Sequence, residues 1–327
     1  MVFKEFLCVL CVLCGECFKW PFAFRSAARA LPSILHIDSD LMSSWYLLTL
    51  ASLVLLGGQR FLYKVAAEAG CNAAMTTLSF MGSVALFSWI AYFAEGAVFL
   101  QPGPLLIVGL VNSVGFLGSS LASIEALKEL PASVAYTLTR LSTVLVVIFS
   151  LLYFGERLST TQSIGVILAL AVLLLFAGKW EDGGERAGNY RRGFFLAILA
   201  ILAGAAASIS SKFAAMYVDK FGFMAVSYSF GALFSILARK QLLPDKPGER
   251  TGPALWIGLA MGITNFIGYY ALLEALAVGP LAIIAPLTSM HFVIAILLSL
   301  IIYRERTSFL RLAGIGLTVA SILLMKA

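Results

Sequence analysis

Long apolar runs separated by short polar breaks make up most of the chain. Each run is close to the roughly 20 residues that a helix needs to cross the hydrocarbon core of a bilayer. The apolar positions are continuous instead of alternating, which predicts helices and not the strands of a membrane barrel. Breaks at Gly, Pro and charged residues divide the pattern into ten spans, at residues 45–67, 73–94, 103–127, 132–154, 159–178, 193–217, 222–243, 253–276, 280–303 and 307–326.

Composition places these helices in a membrane. Of the 327 residues, 61% are hydrophobic and 12% are charged, and the mean hydropathy is +0.95. A soluble domain carries about 25% charged residues, so this chain lacks the polar surface that contact with water requires. We therefore expect an all-α integral membrane protein, multi-pass and located in the plasma (inner) membrane, in contact with the lipid bilayer and not with nucleic acid.

One charged pair occurs twice, each time at the end of an apolar run. The segments "YFGERLS" (153–159) and "IYRERTS" (302–308) place their Glu-Arg pairs 305 − 156 = 149 positions apart. The same shift aligns further positions without a gap: Gly109 with Gly258, Glu125 with Glu274, Pro131 with Pro280, Ser150 with Ser299 and Gly165 with Gly314. Unrelated residue types in one register indicate a duplicated unit.

Each duplicated unit contains five spans, and an odd number makes the second unit enter the bilayer from the opposite side. The sequence thus predicts two inverted five-helix repeats, the arrangement of many secondary transporters. The first repeat covers residues 42–178 and the second 193–327, joined by a polar linker at 179–192. Residues 1–41 precede the repeats and are interpreted as a leader or disordered tail, or as the product of a mis-assigned start.

Two matching segments resemble a known family. In both "LKELPASVAYTLTRLSTVLVVIFSLLYFGERLS" and "LEALAVGPLAIIAPLTSMHFVIAILLSLIIYRERTS" a helix ends, a Pro opens the next helix and a Glu-Arg pair closes it. This pattern is similar to that of EamA-type proteins in the drug/metabolite transporter superfamily. The resemblance covers about residues 45–327. It implies ten helices, inverted repeats, a central cavity and movement of small metabolites driven by protons or by a counter-substrate.

Ionisable side chains within a span are costly and so are functional candidates. Arg140 lies nine residues after Pro131, about 13 Å into the fourth helix at 1.5 Å per residue. Its repeat counterpart is Ser289, and His291 lies two residues further on. Arg140 and His291 are predicted to bind substrate, although Arg140 has the alternative role of neutralising a carboxylate such as Glu125.

Lys64 and Lys212 lie late in the first and sixth helices, 148 positions apart. The resemblance implies that these helices line the cavity, so both lysines are substrate-binding candidates; the alternative is that they reach the lipid headgroups. Arg60 lies one turn before Lys64, on a stripe that is expected to face protein or water. Polar groups elsewhere in the spans complete the set of cavity candidates: Tyr136, Asn112, Asn265 and Tyr269.

Glu125 and Glu274 occupy equivalent ends of the third and eighth helices. A buried carboxylate with a raised pKa can carry a coupling proton, so both are coupling candidates, with a structural role as the alternative.

Glu156-Arg157 is interpreted as an anchor at the membrane interface. Cys8, Cys11, Cys14 and Cys17 have no second ligand group, and we predict no metal site and no cofactor.

The predicted function is secondary active transport of a small polar or anionic metabolite, as an exporter or exchanger working by alternating access. A lipid-linked substrate flippase of the same superfamily is an alternative. A membrane enzyme is a third class, but the chain has only two histidines and no nucleophile–base motif or phosphate-binding loop. Protons or a counter-substrate are the expected coupling partners, and a monomer and a homodimer both fit the sequence.

The membrane orientation stays open at this point. If the N-terminus is inside, most loop Lys and Arg residues lie outside, including Arg191, Arg192 and Lys246. The positive-inside rule therefore favours both termini outside, whereas the family resemblance implies both termini inside.

Overall fold

Helices account for nearly all of the computed structural model, which describes residues 44–96, 102–130, 132–177, 190–242, 249–303 and 309–326. The leader and its four cysteines, residues 179–189 of the polar linker, and Glu305-Arg306 lie outside these residues. The described helices are α1 (Ser44–Glu68), α2 (Ala73–Ala94), α3 (Pro102–Glu129), α4 (Ala132–Tyr153), α5 (Thr160–Ala177), α6 (Tyr190–Tyr217), α7 (Lys220–Leu242), α8 (Gly252–Val278), α9 (Leu281–Ser289), α10 (His291–Tyr303) and α11 (Phe309–Lys326).

These helices form the ten predicted spans, because α9 and α10 together make up the ninth. Seven spans, with α9 and α10 counted together, have at least 18 residues and the hydropathy of a membrane segment. The other three have shorter apolar stretches, at Leu138–Tyr153, Thr160–Leu175 and Leu312–Lys326. The prediction of an all-α membrane protein is confirmed.

Several helix contacts recur when the two halves are exchanged. The pairs α2–α7, α5–α11 and α4–α9 each join equivalent helices of the two halves. The contact of α2 with α8 has its counterpart in that of α3 with α7. A twofold relation between the halves produces this pattern, and five spans per half make the relation an inversion across the membrane.

Small residues set the closest helix contacts. Gly115 on α3 faces α6 so closely that an added Cβ would lie 2.8 Å from the carbonyl oxygen of Ala203. Gly57 on α1 faces α10, where an added Cβ would lie 2.5 Å from the Cβ of Ile294. Such approaches let helices pack where the lipid offers no hydrophobic driving force. They hold α1 and α6, the first helices of the two halves, against helices of the opposite half.

The ninth span is interrupted near its middle. The helix continues through Pro286 and ends at Ser289. The side chains of Thr288 and Ser289 donate to the carbonyls of Ile284 and Ala285, both at 2.7 Å. Because these hydroxyls satisfy carbonyls within the break, the backbone can end one helix and start another inside the protein. The break places His291 at the start of α10, where its carbonyl oxygen faces Gly57 of α1.

Candidate functional site

Two adjoining cavities occupy the centre of the bundle. The first has a volume of about 230 Å³ and the second about 350 Å³. Arg60, Phe116, Ala207 and Ser208 line both, so the cavities meet at these residues. We name the first the aromatic chamber, after its wall of Tyr63, Phe80, Tyr228 and Tyr269, and the second the arginine chamber, after Arg60 and Arg140.

The wall of the aromatic chamber is a row of rings from four helices. Tyr63 on α1 meets Phe80 on α2 at 6.3 Å between centroids, Phe80 meets Tyr228 on α7 at 6.1 Å, and Tyr228 meets Tyr269 on α8 at 5.9 Å. All three pairs are edge-to-face, a favourable geometry for aromatic rings. The row gives the chamber a preformed apolar surface.

Two buried asparagines tie helices together behind this wall. Asn112 on α3 donates to the carbonyl of Ala207 on α6 at 2.8 Å, and its side-chain oxygen accepts from Ser227 on α7 at 2.7 Å. Asn265 on α8 donates to the side-chain oxygen of Gln59 on α1 at 3.2 Å. In each half, therefore, an asparagine on the third helix binds the first helix of the other half. Burial of these groups is tolerated because they are hydrogen-bonded.

The arginine chamber combines two guanidinium groups with six hydroxyls. The hydroxyl residues are Ser119, Ser120, Ser123, Thr139, Ser142 and Ser208. All five of these serines donate to backbone carbonyls, as Ser119 does to Ala200 at 2.8 Å and Ser123 to Ser119 at 2.7 Å. A hydroxyl that has donated its proton offers an acceptor to a ligand. The two arginines are therefore the strong donors of this chamber.

Arg60, which lines both chambers, is hydrogen-bonded to His291. Its Nε donates to Nε2 of His291 at 3.1 Å, and Nδ1 of His291 lies 2.7 Å from the carbonyl oxygen of Thr288. The guanidinium carbon of Arg140 lies 5.5 Å from the centroid of Phe292, the residue next to His291. The first two residues of α10 thus each contact one of the two arginines.

Comparison with known proteins agrees with this architecture. Residues 43–178 and 191–327 each match the model of the EamA-like transporter family. The chain belongs to this family. The resemblance to the drug/metabolite transporter superfamily is thereby confirmed, as is an integral, multi-pass membrane protein built as two repeats.

Two individual proteins are similar to this EamA-like transporter. An uncharacterized transporter of Archaeoglobus fulgidus is 26% identical over 226 residues, which is 69% of this chain and 77% of that protein. A protein of known crystal structure superposes with a TM-score of 0.70 at 22% identity, covering 86% of this chain and 96% of the other. The second likeness shows a shared fold. Together with the family match, these findings make the chain a membrane transporter.

Five of the predicted cavity residues line the chambers of this EamA-like transporter. Asn112, Asn265, Tyr269 and His291 line the aromatic chamber, and Arg140 lines the arginine chamber. Tyr136 lies on α4, but its side chain is outside the described part of the structure. The structure brings these residues together; their binding of substrate remains a proposal.

Lys212 is predicted to line the cavity, but it is not among the residues that line either chamber. It is 6% exposed, and its Nζ donates to the carbonyls of Leu276 at 2.7 Å and Gly279 at 2.8 Å. These carbonyls belong to the end of α8, where a cation satisfies groups that the helix leaves unpaired. The structure therefore places Lys212 as a cap at the corner between α8 and α9.

Glu156 completes this corner, which corrects its interpretation as an interface anchor. Its carboxylate accepts from the backbone N–H groups of Leu281 at 2.8 Å and Ala282 at 2.9 Å, the first residues of α9, and from the Ser150 hydroxyl. One carboxylate oxygen lies 4.0 Å from Nζ of Lys212. A negative group at a helix N-terminus is favourable. Lys212 and Glu156 thus cap two consecutive helices.

Lys64 lies at the equivalent place in the first half. Its Nζ is 4.8 Å from the ring centroid of Tyr303, and Nζ of Lys212 is 5.7 Å from that of Phe154. Phe154 and Tyr303 are separated by the same 149 positions as the Glu-Arg pairs. Lys64, like Lys212, is absent from the residues that line the chambers.

The coupling candidates Glu125 and Glu274 also do not line the chambers. Glu274 forms an ion pair with Lys220 at 2.8 Å. Partial burial, followed by the charges of Asp219 and Glu274, raises the pKa of Glu95 above its ordinary value. Glu274 thus belongs to a charged cluster at the ends of α2 and α8 and the start of α7. A coupling role for either glutamate remains a prediction.

Arg60 is the residue of the site that the sequence left without a role. It was placed on a stripe facing protein or water, and it proves to line both chambers. The available signal was its position: Arg60 is the seventeenth residue of the 25-residue helix α1, far from either end.

In the part of the chain that the structure describes, no group of three metal-binding side chains occurs.

Proposed function

We propose that this protein is a secondary transporter of small organic anions, which it moves through the two chambers by alternating access. The observation that carries the proposal is the charge of the lining. Arg60 and Arg140 contribute two guanidinium groups, which are always charged, and among the described lining residues none is a carboxylate. Such a cavity attracts an anion and repels a cation.

The aromatic chamber indicates the remainder of the substrate. Its row of rings offers apolar contact next to the arginines, which suits an anion with an aromatic or otherwise apolar body. The hydroxyl of Ser113, also in this lining, is buried and lacks a hydrogen-bond partner among the described residues. A buried polar group of this kind is costly, and a polar atom of the substrate would satisfy it. The chamber volumes suit small molecules.

The fold supports transport by alternating access. Inverted repeats provide two related packings around a central site, and the break between α9 and α10 allows part of the ninth span to move relative to the rest. We propose that the protein works in the plasma membrane. No second function is favoured by a specific observation on the chambers.

The test is counterflow of radiolabelled benzenesulfonate, a small aromatic anion, in liposomes that contain the purified protein. Arg60→Gln and Arg140→Gln should each lower the initial rate at low substrate about ten- to a hundredfold, since hydrogen bonds to charged groups contribute about 1.5–3 kcal/mol. Arg140→Lys should keep part of the rate, because the charge survives while the bidentate geometry is lost. Arg157→Gln is the matched control, since Arg157 is exposed between α4 and α5.

Two outcomes would contradict the proposal. One is an unchanged rate in both Arg60→Gln and Arg140→Gln. The other concerns the alternative that Arg140 only neutralises Glu125: full transport in the double variant Arg140→Gln/Glu125→Gln, after loss of membrane abundance in the single variants, would remove Arg140 from the binding site.

A further inference from the structure

The hydrogen bonds of His291 fix its protonation state in this conformation. A carbonyl oxygen only accepts, so Nδ1, which lies 2.7 Å from the Thr288 oxygen, carries a hydrogen. An arginine only donates, so Nε2, which receives the Nε–H of Arg60 at 3.1 Å, holds a lone pair. The imidazole is therefore neutral, with a single vacant site for a proton on Nε2.

The surroundings of His291 are positive. Packed against it are α1, through Gly57 and Arg60, and α4, through the Thr143–Ser289 hydrogen bond at 3.2 Å. The charged and titratable groups that face it from these helices and across the chambers are Arg60 and Tyr63 on α1, Arg140 on α4, Tyr228 on α7 and Tyr269 on α8. A proton on Nε2 would thus place a positive charge directly beside the guanidinium group of Arg60.

An anion in the arginine chamber reverses this balance. Its charge offsets those of Arg60 and Arg140, and it also attracts a positive imidazole. Protonation changes Nε2 from an acceptor to a donor, so Nε2 can no longer accept from Arg60, and the Nε–H of Arg60 becomes available to the anion. Each of the two binding events therefore favours the other, by the same factor in both directions.

From this geometry we infer that His291 is a proton-binding site that couples proton movement to anion movement. The inference rests on the proposed function. It places the group that binds the coupling proton at His291, in the cavity lining, and not at Glu125 or Glu274. One proton passes from water to Nε2 when the anion binds, and it returns to water when the anion leaves on the other side. For a monovalent anion the transported pair carries no net charge.

The test is calorimetric titration of the purified full-length protein with benzenesulfonate, in buffers of different ionisation enthalpy. Benzenesulfonate stays ionised over the whole pH range, so any proton taken up binds to the protein. At pH 7.5 the wild type should take up about one proton per bound anion. Its dissociation constant should rise about tenfold for each pH unit above neutrality, as linkage to one proton requires.

His291→Gln removes the titrating group while keeping an oxygen that accepts from Arg60. This variant should bind benzenesulfonate with no proton uptake and with an affinity independent of pH. His36→Gln is the matched control, since His36 is the other of the two histidines in the chain, and it should behave like the wild type.

The outcomes separate the two proposals. Anion binding by the wild type without proton uptake overturns the coupling role of His291 and leaves the anion site intact, and so does undiminished proton uptake by His291→Gln. No binding of benzenesulfonate to the wild type overturns the proposed function and the coupling together. If His291→Gln fails to fold, the absence of proton uptake by the wild type still overturns the coupling role.

Discussion

The corner formed by Lys212 and Glu156 should contribute more to stability than the shorter Lys220–Glu274 ion pair. Lys212→Met leaves the carbonyls of Leu276 and Gly279 without their donor and removes the cation 4.0 Å from the Glu156 carboxylate. Loss of one partner from a buried charged cluster costs about 3–5 kcal/mol. The two carbonyls, at about 1–3 kcal/mol each, account for much of that figure.

The matched control is Lys220→Met. Lys220 lies 2.8 Å from Glu274, but the two side chains are 23% and 27% exposed, and a pair in contact with water contributes about 1 kcal/mol or less. The assay is unfolding of both variants by sodium dodecyl sulfate in mixed micelles, followed by the fluorescence of the five tryptophans. A loss of unfolding free energy in Lys220→Met equal to or greater than that in Lys212→Met would refute the reasoning, since burial would then not decide.

Two further variants test packing and charge. Gly57→Ala adds a Cβ 2.5 Å from the Cβ of Ile294 and 2.7 Å from the carbonyl oxygen of His291, so it should cost about 1–3 kcal/mol in the same unfolding assay. Gly82→Ala, where nothing lies within 4 Å, should cost far less, and equal costs would contradict the close contact. Because the pKa of Glu95 is raised, its contribution to stability is present below its unfolded pKa and is lost as pH rises through the folded pKa. Glu95→Gln should therefore melt above the wild type near pH 7 and with it near pH 4; no difference near pH 7 would count against the raised pKa.

The spans and the repeat were predictable because each leaves a pattern in one dimension. Crossing a bilayer requires about 20 apolar residues whatever the fold, and duplication leaves unrelated residue types, such as Pro131 and Pro280, in one register. Membership of the family followed from the same matching segments. The alignment of Glu156 with Glu305 also marked an important residue, although its role as a helix cap requires knowledge of which helix begins beside it.

The direction in which Arg60 and the two lysines point was not predictable. The spans are apolar on all sides, so hydrophobic periodicity does not show which face is internal. Contact between helices distant in sequence decides it: the close approach at Gly57 turns Arg60 towards the cavity, while Lys212 faces the corner of α8 and α9. The break before His291 likewise depends on local hydroxyl–carbonyl bonds that compete with the helix.

The charge preference of transport tests the central claim most directly. Benzenesulfonate and phenyltrimethylammonium share an aromatic ring and carry opposite charges, so the two probes differ mainly in the sign that the arginines recognise. Efflux of each probe from liposomes that contain the protein is measured against empty liposomes. The account predicts protein-dependent efflux of benzenesulfonate, reduced in Arg60→Gln and Arg140→Gln, and none of phenyltrimethylammonium. Protein-dependent efflux of the cation at an equal or greater rate would contradict it.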